Sequence, residues 1–219
     1  DIDFIFGNQG NNTAHKTSNE HPMKMWINDF DNNGTFDIVL AKYQNDICYP
    51  VRGRQCSSEQ MPFIKQKFPT YAQYATADVE SIYGNEKLEK ALHYSANNFY
   101  SVILTKSGST FKYEDLPVFA QLGPINQTIV HDINNDGNLD AMVVGNNFAV
   151  EVETIRYDGG RGAVLLGDGN GNFSQLGPKE SGFYEPNDCK DMALINYGGQ
   201  SMIITVSNRN KAKTFAIKS

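Results

Sequence analysis

The apolar residues of this chain come mostly in runs of three or four, bounded by Gly, Asn and Asp. Phe4-Ile5-Phe6, Met25-Trp26-Ile27, Ile38-Val39-Leu40-Ala41, Thr128-Ile129-Val130, Ala141-Met142-Val143-Val144 and Ile203-Ile204-Thr205-Val206 each suit a short strand. One stretch departs from this pattern. From about Gln55 to Asn97 the spacing is helical. Ser57 or Ser58 caps a segment that runs through Lys67 and is ended by Pro69. Thr70 to Tyr74 and Thr76 to Tyr83 suggest short helices, and Asn85 caps a last one with Leu88, Ala91 and Leu92 on one face. The aromatics Phe63, Phe68, Tyr71, Tyr74 and Tyr83 are expected to pack this segment down. The expected class is all-β, with a helical insertion over residues 55–97.

Two turns between strands carry the same nine-residue pattern, D-x-[DN]-x-[DN]-G-x-x-D. One runs from Asp29 to Asp37 and the other from Asp132 to Asp140. Oxygen side chains fall at positions 1, 3, 5 and 9, with Gly34 or Gly137 at position 6. A short chain wraps a hard cation in this way. Alternate residues point inward, the glycine permits a sharp turn, and the carbonyl at position 7 adds an oxygen. All the ligands are oxygen, which selects calcium over softer metals. Two ions are expected. Asp29, Asp31, Asn33 and Asp37 with the Thr35 carbonyl would hold the first; Asp132, Asn134, Asp136 and Asp140 with the Asn138 carbonyl would hold the second. An EF-hand needs a Glu at position 12, but Leu40 and Val143 stand there, so each ion should sit in a strand-loop-strand hairpin.

The loops belong to a repeat. Gly34 and Gly137 lie 103 residues apart. Gly108-Ser109-Thr110-Phe111 resembles Gly169-Asn170-Gly171-Asn172-Phe173, and it follows its loop about 41 residues later than its counterpart does. Removing that excess leaves a period of 62 and attributes an insertion to the first repeat. The same period carries Asn146 to Asn208 and Gly137 to Gly199. Positions 1, 3, 5 and 9 of the third copy become Leu194, Asn196, Gly198 and Met202, so it should keep the hairpin, through a tight Gly198-Gly199 turn, without a metal. Phe4 to Asn8 matches Met142 to Asn146 and reads as the end of a repeat whose other strands lie upstream.

Repeated short strands with Gly-rich turns indicate a propeller or other radial array. The chain resembles the FG-GAP/VCBS repeat proteins, whose calcium loops also occur in the integrin alpha-subunit propeller. It is similar in particular to the bacterial subgroup related to ASPIC/UnbV and cartilage acidic proteins. The resemblance rests on Phe6-Gly7-Asn8, the two loops, Tyr49-Pro50-Val51-Arg52-Gly53-Arg54, Gln60-Met61-Pro62-Phe63, Leu116-Pro117, Arg156-Tyr157-Asp158, Leu165-Leu166-Gly167-Asp168-Gly169 and Ser181-Gly182-Phe183. It implies β-propeller blades, about three plus a leading strand, over residues 1–219. The chain would then be part of a larger propeller with calcium in its blade hairpins. It implies no reaction.

Composition adds limits. The 219 residues are 40% apolar and 20% charged, with 19 Gly and 11 Tyr, a β-rich globular profile with enough chain for a core. The net charge of −6 would fall to about −2 with two calcium ions bound. No basic stripe suggests nucleic acid, and no apolar run reaches the ~18 residues of a membrane helix. Oxygen sites of this kind suit the calcium outside a cytoplasm, so the expected location is extracellular, cell-surface or periplasmic, in a bacterium. Cys48 and Cys56 allow a disulfide that leaves Cys189 alone; three separate thiols fit equally. Sequons occur at Asn11, Asn33, Asn126 and Asn172.

No catalytic set emerges. His15, His21, His93 and His131 lack zinc-ligand spacing, and neither H-E-x-x-H nor G-x-S-x-G occurs. The segment from Glu151 to Arg161 is richer. Alternation would place Glu151, Glu153 and Ile155 on one face, with Arg156, Tyr157, Asp158 and Arg161 in a glycine-permitted loop. With Arg52 and Arg54, these last four are candidate ligand-binding residues; an Arg-carboxylate network bracing the loop is the structural reading of the same residues. The expected role is a calcium-stabilised binding or scaffold module for a protein or glycan. The alternative is a calcium-dependent polysaccharide lyase or hydrolase, for which these residues would have to gather in one cleft.

Overall fold

The computed structural model describes residues 2–152 and 154–217. Along the chain it has β1 (Phe4–Phe6), β2 (Met23–Asn28), β3 (Asp37–Gln44), β4 (Ile47–Pro50), α1 (Arg54–Gln60), α2 (Phe63–Lys67), α3 (Tyr71–Ala75), α4 (Val79–Tyr83), α5 (Asn85–Glu89) and β5 (Leu92–Ala96). These are followed by β6 (Val102–Ser107), β7 (Thr110–Asp115), a 3-10 turn (Val118–Gln121), β8 (Ile125–His131), β9 (Asp140–Gly145), β10 (Ala163–Gly167) and β11 (Phe173–Leu176). The last elements are α6 (Pro178–Ser181), β12 (Cys189–Tyr197), β13 (Gln200–Ser207) and β14 (Lys213–Ala216). Among the described residues the structure is mostly β-sheet, in four antiparallel sheets, none of them closed.

Two compact units divide the chain. The first is Asp1–Ala14 with Phe99–Ser219, and the second is His15–Asn98. In the first unit three sheets stack face to face. The outer ones are β1-β6-β7 and β12-β13-β14; the middle one is β11-β10-β9-β8. Strand β9 is buried along its whole length. Ala141 and Val143, with Ala163 and Leu165 of β10, meet Ile103, Leu116 and Ala120 on one side. Met142, Val144 and Val164 meet Phe183, Cys189, Met192 and Ile203 on the other. A strand covered on both faces loses the polar alternation of a half-buried one, which is why this run reads as continuously apolar. Burial of each Val or Met side chain here stabilises by roughly 1.5–3 kcal/mol.

Strand β1 has an unexpected partner. It pairs with β6, Phe4 opposite Leu104 and Phe6 opposite Val102, as β9 pairs with β10. Its match to Met142–Asn146 is therefore structural, and among the described residues the strands that share its sheet, β6 and β7, lie downstream of the second unit. Strand β3 does not lead into β6 either. The second unit as a whole, including the first acidic loop, lies in the chain between β1 and β6, whereas the sequence pattern began the interruption at residue 55. Strand pairing is non-local, so periodicity reported the strands without reporting their partners.

In the second unit, helices cover one face of the sheet β4-β3-β2-β5. Trp26, Phe30, Val39 and Ala41 pack with Met61, Ile64, Tyr74, Val79, Ile82, Tyr83 and Leu88. Thr70 caps α3 in a capping box with Gln73, and Asp78 caps α4. Ser57 and Ser58 lie buried inside α1 rather than capping it, and Pro62 separates α1 from α2. Asn85 is the first residue of α5, with Gly84 as its cap, and Leu92 belongs to an exposed strand, not a helix face. Phe63 and Phe68 join Tyr74 and Tyr83 in or against the core, but Tyr71 is 61% exposed. All three cysteines are free thiols, so Cys48 and Cys56 are not bridged.

The third hairpin turns as its glycines require. Tyr197 pairs with Gln200 across Gly198 (φ 61°) and Gly199 (φ 82°), a two-residue turn with both central residues left-handed.

Two buried polar groups fix the segment that leads from the middle sheet into the third. The Asn146 side chain donates to Gly160 O (3.0 Å), Pro186 O (3.0 Å) and Asn187 O (3.1 Å), and accepts from Gly160 N (2.9 Å). Gly145 precedes it because a Cβ there would stand 1.6 Å from Pro124 O. Asn146→Ala strands several buried backbone groups and is expected to cost about 2–4 kcal/mol in urea unfolding. Glu185, 1% exposed, accepts from Thr205 Oγ1 (2.8 Å), Asn187 Nδ2 (2.7 Å) and Lys213 Nζ (3.2 Å). Burial opposes its charge, but these donors outweigh burial and hold the carboxyl below its usual value of 4.5. A depressed carboxyl contributes stability above its unfolded pKa and loses it as pH falls through the folded one. The urea midpoint is thus expected to fall as pH drops below about 4.5, and Glu185→Gln to lower it at neutral pH while flattening that acid limb.

Candidate metal centre

The two nine-residue loops fold alike. In both, the residue at position 9 opens the second strand of the hairpin: Asp37 pairs with Asn28, and Asp140 with His131. Position 4 is left-handed at Asn32 (φ 60°) and Asn135 (φ 60°), and position 6 at Gly34 (φ 88°) and Gly137 (φ 88°). A glycine tolerates that second value without strain.

The same backbone amides bond the side-chain oxygens at the same positions. At position 1, Asp29 accepts from Asn33 N (3.0 Å) and Gly34 N (2.9 Å), as Asp132 does from Asp136 N (3.1 Å) and Gly137 N (2.9 Å). Position 5 accepts from the amide at position 7: Thr35 N to Asn33 (2.7 Å), Asn138 N to Asp136 (2.8 Å). Position 9 accepts from the amide at position 2: Phe30 N to Asp37 (3.0 Å), Ile133 N to Asp140 (2.8 Å). The residue at position 2 is apolar in both. Phe30 is buried in the core of the second unit, and Ile133 packs against the second core of the first. An inward apolar residue at position 2 turns the oxygen side chains at 1 and 3 the other way.

At the first loop, Asp29, Asp31 and Asp37 each bring a carboxylate oxygen within 4.8 Å of the others, and this cluster is able to hold a metal ion. The donor chemistry fits a hard cation, because every group is oxygen. The charges are uncomfortable otherwise. Burial, and then the negative charges of Asp31 and Asp29, push the Asp37 carboxyl up, while the amides at Gly34 and Asn33 hold Asp29 down. The nearest cation bonded to the loop, Lys87, donates to Phe30 O (2.5 Å) and Asn32 Oδ1 (3.3 Å) rather than to the acids. In the second loop the residue at position 3 is Asn134, whose Nδ2 donates to Asp136 Oδ2 (2.9 Å), and the three acids do not converge as closely.

Two supporting residues escaped the motif. The second oxygen of Asp140 accepts from Gly167 N (2.9 Å), at the end of β10. Strand β4 pairs only with the far half of β3, Ala41 to Gln44, so among the described residues no third strand reaches Asp37. Helix α1 fills the gap, and Gln60 Nε2 donates to Asp37 Oδ1 (3.2 Å). Both residues lie in segments that carried the family resemblance, but more than twenty residues from the acid they support, beyond the reach of local spacing.

The remaining candidates fall into two places, one in each unit. Arg52 and Arg54 line a cleft of about 470 Å³ in the second unit. Arg156, Tyr157, Asp158 and Arg161 lie in the loop between β9 and β10 of the first. That loop is irregular, not the alternating strand expected; Glu153 lies outside the described residues. Asn147 and Tyr157 exchange backbone bonds of 2.8 and 3.1 Å, Arg156 sits 5.7 Å from the Phe148 ring, and Arg161 Nη1 donates to Asp158 O (2.6 Å) and Gly160 O (2.9 Å). Among the described residues, these carbonyl bonds brace the loop.

No family model matches the chain, and neither the curated proteins nor the solved structures include a match.

Asp140 is fully buried, and its two oxygens serve two backbone amides. Asp140→Ala is expected to destabilise the chain by about 1–3 kcal/mol in the presence of a chelator, measured by urea unfolding, whereas the exposed Asp136→Ala should cost well under that.

Proposed function

We propose that this chain is a calcium-stabilised β-propeller module of an exported bacterial protein, of the FG-GAP/VCBS kind its loops resemble, which presents loops to a protein or glycan ligand. One observation carries the reading. Two loops 103 residues apart in sequence have the same positive-φ positions and the same amide-to-carboxylate bonds. Three carboxylates crowd together in the first. A turn without a metal has no need of that crowding. The ligands would be Asp29, Asp31, Asn33 and Asp37 with the Thr35 carbonyl, and Asp132, Asn134, Asp136 and Asp140 with the Asn138 carbonyl. The ion would supply no reaction step; it would neutralise the acids and fix each hairpin.

The face-to-face stack of antiparallel sheets in the first unit supports the propeller reading, with each sheet a blade. Binding is preferred to catalysis because two of the candidate arginines, Arg54 and Arg161, are held by backbone carbonyls. Arg54 donates to Phe68 O (2.6 Å) and Pro69 O (3.1 Å), as Arg161 does to its own loop. No helix among the described residues is long and apolar enough to cross a membrane.

A ligand bound only by the folded form at a hundred times its Kd stabilises by about 2.7 kcal/mol, or roughly 5–10 °C in Tm for a chain of this size. Calcium is expected to raise Tm by at least that, and a chelator to reverse it; an unchanged Tm with no calcium by elemental analysis would refute the reading. Hydrogen exchange should slow in both acidic loops when calcium is added and stay constant at Ile195 to Gln200. Gln60→Ala should weaken the first site by about tenfold and leave the second unchanged in a calcium titration, since only the first acid leans on that side chain.

A further inference from the structure

We propose that the cleft of the second unit between the β3–β4 hairpin and α3 is a binding site for an anionic glycan, which names the ligand class for the binding role above and rests on that reading. Lys42 and Tyr49 are cross-strand partners, as are Gln44 and Ile47, so all four share one face of the hairpin. Tyr71 of α3 forms the facing wall, and Arg52 and Arg54 close the end. The volume of about 470 Å³ falls within the range of small-ligand sites, about 300–1,000 Å³.

The charge of this cleft runs against the rest of the chain. The protein carries 25 acids to 19 Lys and Arg, yet Lys42, Arg52 and Arg54 line the cleft and, among the described residues, no acid does. Asp46, at the hairpin tip, is drawn to His21 Nε2 at 2.7 Å. Arg54 is fixed in place by the carbonyls of Phe68 and Pro69 and lies 5.1 Å from the Tyr71 ring. Those two bonds use two of its five N–H groups, so donors remain on a guanidinium already held in position. Such preorganisation lowers the entropy lost on binding.

Tyr71 is the aromatic of the helical segment that the core does not take, 61% exposed where Tyr74 is 5%. With Tyr49 it offers ring faces for the C–H surface of a sugar, Gln44 and Asn45 offer amides for hydroxyls, and the cations suit a carboxylate or sulfate. An acidic peptide would use the cations but not this mixture of rings and amides.

The test is calorimetric titration of the full chain, in calcium, with short oligogalacturonates, sulfated heparin oligosaccharides, uncharged dextran oligosaccharides and polyglutamate. The expected result is salt-sensitive binding of the oligogalacturonates or the heparin oligosaccharides, and whichever binds identifies carboxylate or sulfate as the group read. Lys42→Gln and Tyr71→Ala should each weaken that binding by about tenfold, the size of one lost charge-assisted or stacking contact, with Tm unchanged. Absence of binding by both charged sugars, equal binding of dextran or polyglutamate, or undiminished binding by two folded variants would overturn the proposal. The calcium response of Tm is read on the same samples, so failure of the cleft is distinguishable from failure of the calcium reading.

Discussion

The first unit depends on one strand that water cannot reach from either side. Ala141 to Val144 pass through the middle of three sheets, and at each end of the run a buried polar side chain must find its partners without solvent. Asp140 closes one end, binding the amides of Ile133 and Gly167. Asn146 closes the other, binding the carbonyls of Gly160, Pro186 and Asn187. A buried donor or acceptor left unpaired costs more than a typical hydrogen bond contributes, so these two residues tie the neighbouring segments to the two ends of the strand. The acidic loop grows out of this constraint. The aspartate that would complete a cation site is the same one that ties the loop to the next strand, so the site and the sheet share an anchor.

The second unit meets the same requirement with different parts. Asp37 is also buried at the start of a strand and also accepts the amide of the residue at position 2. Its neighbouring strand falls short, and a helix brings Gln60 instead. A side-chain amide on a flexible stem stands where the other loop has a backbone amide, at 3.2 Å rather than 2.9 Å. The first loop therefore has three converging acids on a softer support, and the second has an amide among its acids on a stiffer one.

The helices that supply Gln60 also make the cleft. Packing Ile64, Tyr74, Ile82 and Tyr83 onto the sheet leaves α3 facing the β3–β4 hairpin across open space. Arg54 spans the helical segment by bonding the carbonyls at Phe68 and Pro69, after α2 has ended. Its structural bonds and its place in the cleft are the same fact: the carbonyls that hold the segment's shape also hold the guanidinium where it faces solvent.

Local chemistry was legible in the chain itself. The two D-x-[DN]-x-[DN]-G-x-x-D loops, the Gly198-Gly199 turn, the short apolar strands and the helical segment depend on residues within about ten positions of one another, and spacing records such relations. The Gly-Asn pair after Phe6 and after Val144 was visible as a match, but its reason was not. Gly145 makes room for a carbonyl from the preceding segment, and Asn146 reaches forty residues ahead. Only the tertiary structure decided that β1 pairs with β6 across the whole second unit, that Gln60 and Gly167 support the acids, that Leu92 sits in a strand, and that Tyr71 stays outside the core. Each of these is a contact between segments distant in sequence. An apolar or amide residue carries no mark of its partner until the chain has collapsed around it.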